Sequence, residues 1–83
     1  MSENKPRVNK LILEVVEKQL ASCTPVQTRE TLDRLMVQGF SEEDAKHLIG
    51  SAIVAEMRSV VSEGRPFQEK RFVSLLQNLP QLP

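Results

Sequence analysis

Few side chains in this 83-residue sequence have the type and spacing that catalysis or metal binding requires. His47 is the only histidine, and Glu43 precedes it by one helical turn, so the pair could share a metal ion. One imidazole with one carboxylate rarely makes a tight site, so we expect a solvated His47, no metal and no cofactor. Cys23, the single cysteine, has no general base beside it in the sequence. We interpret it as a small, partly buried linker residue.

Glu56 is the acid whose position most needs an explanation. On a helical projection it falls within the apolar stripe of a long predicted helix, in line with Ala45 and Ile49. Either the carboxylate is buried and paired with an arginine, or the core ends before it and its head reaches water. The arginines that we consider as partners are Arg29, Arg34 and Arg71. Since Glu63 follows on the same side of the helix, we expect the second arrangement.

The elements that position these residues are predicted to be helices. Apolar residues recur at helical spacing over about residues 8–20, 25–38, 42–63 and 66–79, and no strand-like alternation occurs. The sequence therefore predicts an all-α fold, a compact bundle of four helices with a long third helix of roughly 33 Å. We expect a polar N-terminal segment at 1–7, a single helical domain at 8–79 and a short Pro-containing tail at 80–83.

The clearest boundary lies at Gly39-Phe40-Ser41, directly before the third helix. Gly39 can take the left-handed conformation that ends a helix, and Ser41 can accept the free amide hydrogens of the next helix. Asp44 stands where a capping-box acid is found. A similar pattern predicts Thr24 as the cap of the second helix.

The predicted core is built from one apolar stripe on each helix, with Leu48, Ile49 and Ile53 of the third helix at its centre. The residues that we expect to face them are Val8, Leu11, Ile12, Val15 and Val16 from the first helix, Leu32, Leu35 and Met36 from the second, and Phe72, Leu75, Leu76 and Leu79 from the fourth.

Charge and hydropathy argue against binding to nucleic acid or membrane. Eleven basic residues balance eleven acidic ones, so no net field attracts the chain to a polyanion. A helix-turn-helix interpretation of the second and third helices would turn Glu42, Glu43 and Asp44 toward phosphates, which favours no DNA binding. Apolar runs such as residues 11–13 are far shorter than the roughly 20 residues of a membrane span. The lone cysteine fits a cytoplasmic protein.

Two resemblances to known families add to these predictions. Residues 35–45, Leu-Met-Val-Gln-Gly-Phe-Ser-Glu-Glu-Asp-Ala, resemble the first loop of ubiquitin-associated domains, which implies a binding surface at Met36, Gly39 and Phe40. Because Val37-Gln38 separates Met36 from Gly39 here, we do not expect ubiquitin itself to bind. The motifs at residues 11–16, 28–35, 39–45 and 76–80 are similar to those of a family of short uncharacterised bacterial proteins, and this resemblance spans about residues 8 to 82. That resemblance implies a bacterial cytoplasmic protein and supplies no catalytic residues.

The sequence as a whole favours a small helical protein-interaction module without catalytic activity, which binds an unknown protein partner or itself. Its possible partner-binding residues are Met36, Gly39, Phe40 and Glu56. The alternative is an enzyme or small-ligand binder in which Glu56 acts with Arg34 and His47. A second alternative, a helix-turn-helix-like nucleic-acid binder, would gather Lys5, Arg7, Arg29 and Arg34 on one face.

Overall fold

Four α-helices build the part of the chain that the computed structural model describes, residues 7–82. They are α1 (Lys10–Ser22), α2 (Val26–Val37), α3 (Glu42–Glu63) and α4 (Glu69–Asn78). No strand occurs within residues 7–82, so the prediction of an all-α bundle with a long third helix is confirmed. Apart from Arg7, the predicted polar segment lies outside the described residues, as does Pro83 of the tail.

Helix α3 is the centre of the bundle, because it contacts each of the other three helices. Helix α2 lies beside both α1 and α4, whereas α1 and α4 do not contact each other. Leu48, Ile49 and Ile53 are buried where the helices meet, as predicted. The buried side chains that surround them include Val16, Leu32, Leu35, Phe72, Leu76 and Leu79. None of the helices in the described chain combines the length and apolar character that crossing a bilayer requires.

The apolar stripe predicted for α1 is only half correct. Val16 is buried and Ile12 packs against the core, whereas Leu11 and Val15 are exposed. Leu11 and Val15 form a second row, rotated by about 100° from Ile12 and Val16, and this row points away from the bundle. Met36 at the end of α2 is likewise exposed rather than buried. Helices α1 and α2 therefore bury narrower stripes than their sequence patterns indicate. The stripe predicted for the fourth helix is confirmed, since Phe72, Leu76 and Leu79 are buried and Leu75 packs against the core.

Local capping determines where α3 begins and ends. The Ser41 hydroxyl accepts a hydrogen bond from the Asp44 amide at 3.1 Å, which confirms the predicted cap. Gly39 before the helix and Gly64 after it have positive φ values of 107° and 64°, the conformation that favours glycine. Both predicted bounds of α3 are therefore confirmed.

Other predicted boundaries were wrong. Thr24 does not cap α2, because its hydroxyl donates back to the Ser22 carbonyl at 3.0 Å and the N-cap position is held by Pro25. Cys23 is exposed rather than partly buried, and it ends α1 in a left-handed conformation. Helix α4 begins at Glu69 instead of near Pro66, and the residue before it, Gln68, is extended and donates its backbone amide to a side chain of α3 that is described below.

Candidate functional site

Glu56 is the only buried carboxylate of residues 7–82, with 1% of its surface exposed. Its Oε2 accepts hydrogen bonds from Arg65 Nη1 at 2.6 Å and from the Gln68 amide at 2.9 Å, while Oε1 accepts one from Arg65 Nη2 at 3.1 Å. Arg71 Nε lies 3.5 Å from Oε1. The expectation that this head reaches water was therefore wrong. Arg71 was among the partners considered, but the main partner is Arg65.

The electrostatics of this cluster keep Glu56 ionised. The hydrogen-bonded Arg65 guanidinium lowers the pKa of Glu56 to about 2; burial acts in the opposite direction, and the Gln68 amide adds to the lowering. Glu56 and Glu63 in turn raise the pKa of Arg65. Three N–H donors bind the carboxylate. Glu56 therefore attaches the α3–α4 connection to α3. Because Glu56 is buried, its carboxylate is not part of the solvent-exposed surface.

The N-terminal end of α1 is fixed to α3 by two residues of α3 that lie nearly one turn apart. His47 is buried, and its Nδ1 accepts a hydrogen bond from the Val8 amide at 3.1 Å. The expectation of a solvated His47 was therefore wrong. At Gly50, a Cβ atom would lie 2.7 Å from Val8 Cγ2 and 3.1 Å from Ile12 Cγ2. Only a residue without a side chain lets α1 approach this closely.

Gly50 was missed by reasoning from the sequence, although one signal could have found it. A glycine in the interior of a long helix costs about 1 kcal/mol relative to alanine. Such a residue usually marks a close approach between backbone and neighbour. Here the close approach brings the beginning of α1 onto the middle of α3 and leaves an open furrow farther along α3.

This furrow, which we call the α1–α3 groove, consists of two adjoining depressions of about 430 and 360 Å³. Ile12 of α1 and Val54 and Arg58 of α3 line both of them. Met57 and Val61 extend the apolar wall of the larger depression. These two side chains are 46% and 83% exposed, so the groove places a continuous apolar surface in contact with water.

Among residues 7–82, the charged residues that line the groove all have the same sign. Arg58 lines both depressions and Arg7 lines the smaller one, while no Asp or Glu of the described chain lines either. Within residues 7–82, neither arginine forms an ion pair with a carboxylate. Both arginines are exposed to solvent.

The predicted partner-binding residues do not form one site. Met36 and Gly39 are exposed at the α2–α3 turn, where Phe40 is half-buried and packs against the core. Glu56 lies roughly 20 Å farther along α3, at about 1.5 Å per residue. The turn and the buried carboxylate are thus separate features of the molecule, and the role of the turn in binding stays a prediction.

The residues of the enzyme alternative each bind a different part of the chain. Glu56 binds the α3–α4 connection and His47 binds the start of α1. Arg34 donates to the carbonyls of Leu79 at 2.8 Å and Leu76 at 2.9 Å, which caps the end of α4. The three side chains therefore have no common partner. Residues 7–82 also contain no group of three or more His, Cys, Asp or Glu side chains that could hold a metal ion.

The basic residues of the DNA-binding alternative are similarly dispersed. Arg29 lies 3.7 Å from Asp33 on the surface of α2, and Arg34 is occupied at the end of α4. Arg7 lines the groove, and Lys5 lies outside the described residues. The acidic start of α3 holds Lys46, whose Nζ lies 3.2 Å from Glu42 and 2.7 Å from Glu17. These contacts raise the pKa of Lys46, chiefly through its hydrogen bond to Glu17.

Comparison of the chain with protein-family models, with curated proteins and with solved structures finds no match. The resemblances to ubiquitin-associated domains and to short bacterial proteins stay predictions.

Proposed function

We propose that this protein is a small helical interaction module that binds a partner protein through the α1–α3 groove. The observation that carries the proposal is the exposed apolar wall of Met57 and Val61 beside Ile12 and Val54. Contiguous exposed apolar surface on a small domain is typical of an interaction site. A domain of this size has little core. A partner that covers its exposed apolar side chains removes them from water, which is favourable in free energy.

The rest of the molecule supports a binding role rather than a catalytic one. Its buried polar residues hold the helices together, and Glu56, Arg34 and His47 each serve a different contact. We also propose that the module acts in the bacterial cytoplasm, as the lone cysteine and the resemblance to bacterial proteins favour. Neither DNA nor ubiquitin is among its proposed ligands.

Site-specific photo-crosslinking in the cells that make the protein tests this function. A photoreactive amino acid replaces Val61 in one variant and Val37 in the other. Both are exposed valines, at 83% and 88%, but only Val61 lines the groove. We expect a crosslinked partner protein from position 61 and none from position 37. A partner captured only at position 37 would place the interaction surface near the α2–α3 turn and refute the proposal.

A further inference from the structure

We infer that the partner presents an amphipathic helix whose apolar side chains enter the α1–α3 groove and whose flanking carboxylates pair with Arg58 and Arg7. This inference rests on the proposed function and gives the chemical class of the partner. It follows from the length of the groove, from its apolar wall and from the sign of its charges.

The shape of the groove fits a helix. The α3 residues that line it run from Ser51 to Ser62, a distance of roughly 17 Å at 1.5 Å per residue, or about three helical turns. A helix of that length presents apolar anchors at i, i+3 or i+4, and i+7 along one face. Small-molecule pockets instead enclose most of their ligand, whereas Met57 and Val61 in the wall of this groove are exposed.

The charges of the groove identify which amphipathic helix fits. Arg58 stands where the two depressions join, and Arg7 lines the smaller one. A bound helix with basic flanks would bring like charges together, whereas glutamate or aspartate beside its apolar anchors would form charge-assisted hydrogen bonds with the guanidinium groups. Acidic flanks therefore give both affinity and selectivity.

The same charges disfavour a second copy of this chain as the occupant. In a two-fold symmetric dimer that buries the groove, the same patch meets itself. Arg58 and Arg7 of one copy would then approach Arg58 and Arg7 of the other, and no carboxylate among the described residues lines the groove to compensate them. The partner is thus expected to be a different, acidic segment.

A displayed library of helical peptides tests the inference on the full chain. Each peptide has about 12 residues with leucine anchors at i, i+3 or i+4, and i+7, and its flanking positions vary among Glu, Gln and Lys. We expect selection on the wild-type protein to enrich Glu at the flanks. Selection on Met57→Glu should enrich none of these peptides, while Met36→Glu should behave as wild type. The two methionines are equally exposed, at 46% and 43%.

Calorimetry with an enriched peptide then tests the arginines individually. Arg58→Gln should weaken binding about fivefold, the upper range for an exposed ion pair, and Arg7→Gln should weaken it by a similar factor. Replacing the peptide's Glu residues with Gln should remove the effect of both substitutions. Arg29→Gln, which changes an exposed arginine of α2 outside the groove, is the control and should leave the affinity unchanged.

Several results would overturn the inference. Enrichment of Lys or of neutral flanks would refute the acidic partner, and failure to enrich any peptide would refute the helix. If photo-crosslinking at position 61 still captured a partner, the proposed function would survive either result. Tighter binding of dodecanoate than of any peptide would assign the groove to a small amphiphile. A dimer in sedimentation that Met57→Glu dissociates would assign it to a second copy.

Discussion

Glu56→Gln tests whether the buried ion pair holds the α3–α4 connection as the structure indicates. Arg65 and the Gln68 amide lower the pKa of Glu56 from 4.5 to about 2. Glutamine resembles the protonated carboxyl group in shape and charge. Because one pKa unit corresponds to about 1.4 kcal/mol, the folded protein favours the ionised form by on the order of 3 kcal/mol. We therefore expect Glu56→Gln to lower the free energy of unfolding by about that amount near neutral pH.

The sign of the pH dependence follows from the direction of the shift. A carboxylate whose pKa is lowered on folding contributes stability above its unfolded pKa, here 4.5, and loses it as the pH falls through the folded pKa of about 2. The stability difference between wild type and Glu56→Gln should therefore narrow as the solution is acidified. About 2 kcal/mol of it should be gone by roughly pH 3.

Urea denaturation at a series of pH values, followed by circular dichroism, measures this difference directly. Glu63→Gln is the control, because Glu63 binds the same guanidinium at 2.7 Å but is half exposed. Its loss should stay below about 1 kcal/mol, the range of an exposed ion pair. The reasoning would be refuted if the two variants were equally stable near neutral pH, or if the difference caused by Glu56→Gln did not change with acid.

Substitutions at three positions and a titration with ubiquitin test further predictions on the same protein. Ile49→Ala should cost about 2 to 5 kcal/mol in urea melts, since Ile49 lies at the centre of the core, and a loss below about 0.5 kcal/mol would contradict that position. Ser41→Ala should cost about 1 kcal/mol and Ser41→Asp almost nothing, because aspartate also caps; equal losses would exclude the cap. Gly50→Val should cost about 1 to 3 kcal/mol and shift the methyl NMR signals of Val8, which a Cβ at position 50 would approach to 2.7 Å, whereas a stabilised variant would show that the contact is loose. Titration with ubiquitin should leave the amide signal of Phe40 unmoved, and a saturable shift there would contradict the sequence analysis.

The features that sequence reasoning predicted correctly depend on local interactions. Both ends of α3 follow from residues within one turn of them, because Ser41 binds an amide three residues ahead and Gly64 takes a left-handed conformation. The buried face of α3 follows from periodicity, since Leu48 and Ile49 are central to a stripe that every neighbouring helix contacts.

The features that it missed depend on contacts between distant parts of the chain. Periodicity correctly placed Glu56 on the core side of α3, but its burial depends on Arg65, which the turn at Gly64 brings back against the helix. The close packing of α1 on α3 likewise joins distant residues, since a Cβ at Gly50 would lie 2.7 Å from Val8 Cγ2. The apolar pattern of a single helix encodes neither the distance between Glu56 and Arg65 nor the distance between α1 and Gly50. An isolated glycine within a helix, such as Gly50, is nevertheless a local signal of a close approach.

The central claim is that a partner protein binds in the α1–α3 groove. The most direct test measures how the yield of the crosslink from position 61 changes when the exposed Met57 and Met36 are each replaced. The yield is compared among the otherwise wild-type chain, Met57→Glu in the groove and Met36→Glu at the α2–α3 turn, with circular dichroism confirming that all three are folded. We predict that Met57→Glu abolishes the crosslink and that Met36→Glu preserves it. A crosslink that survives Met57→Glu and disappears in Met36→Glu would contradict the claim and place the binding surface at the turn.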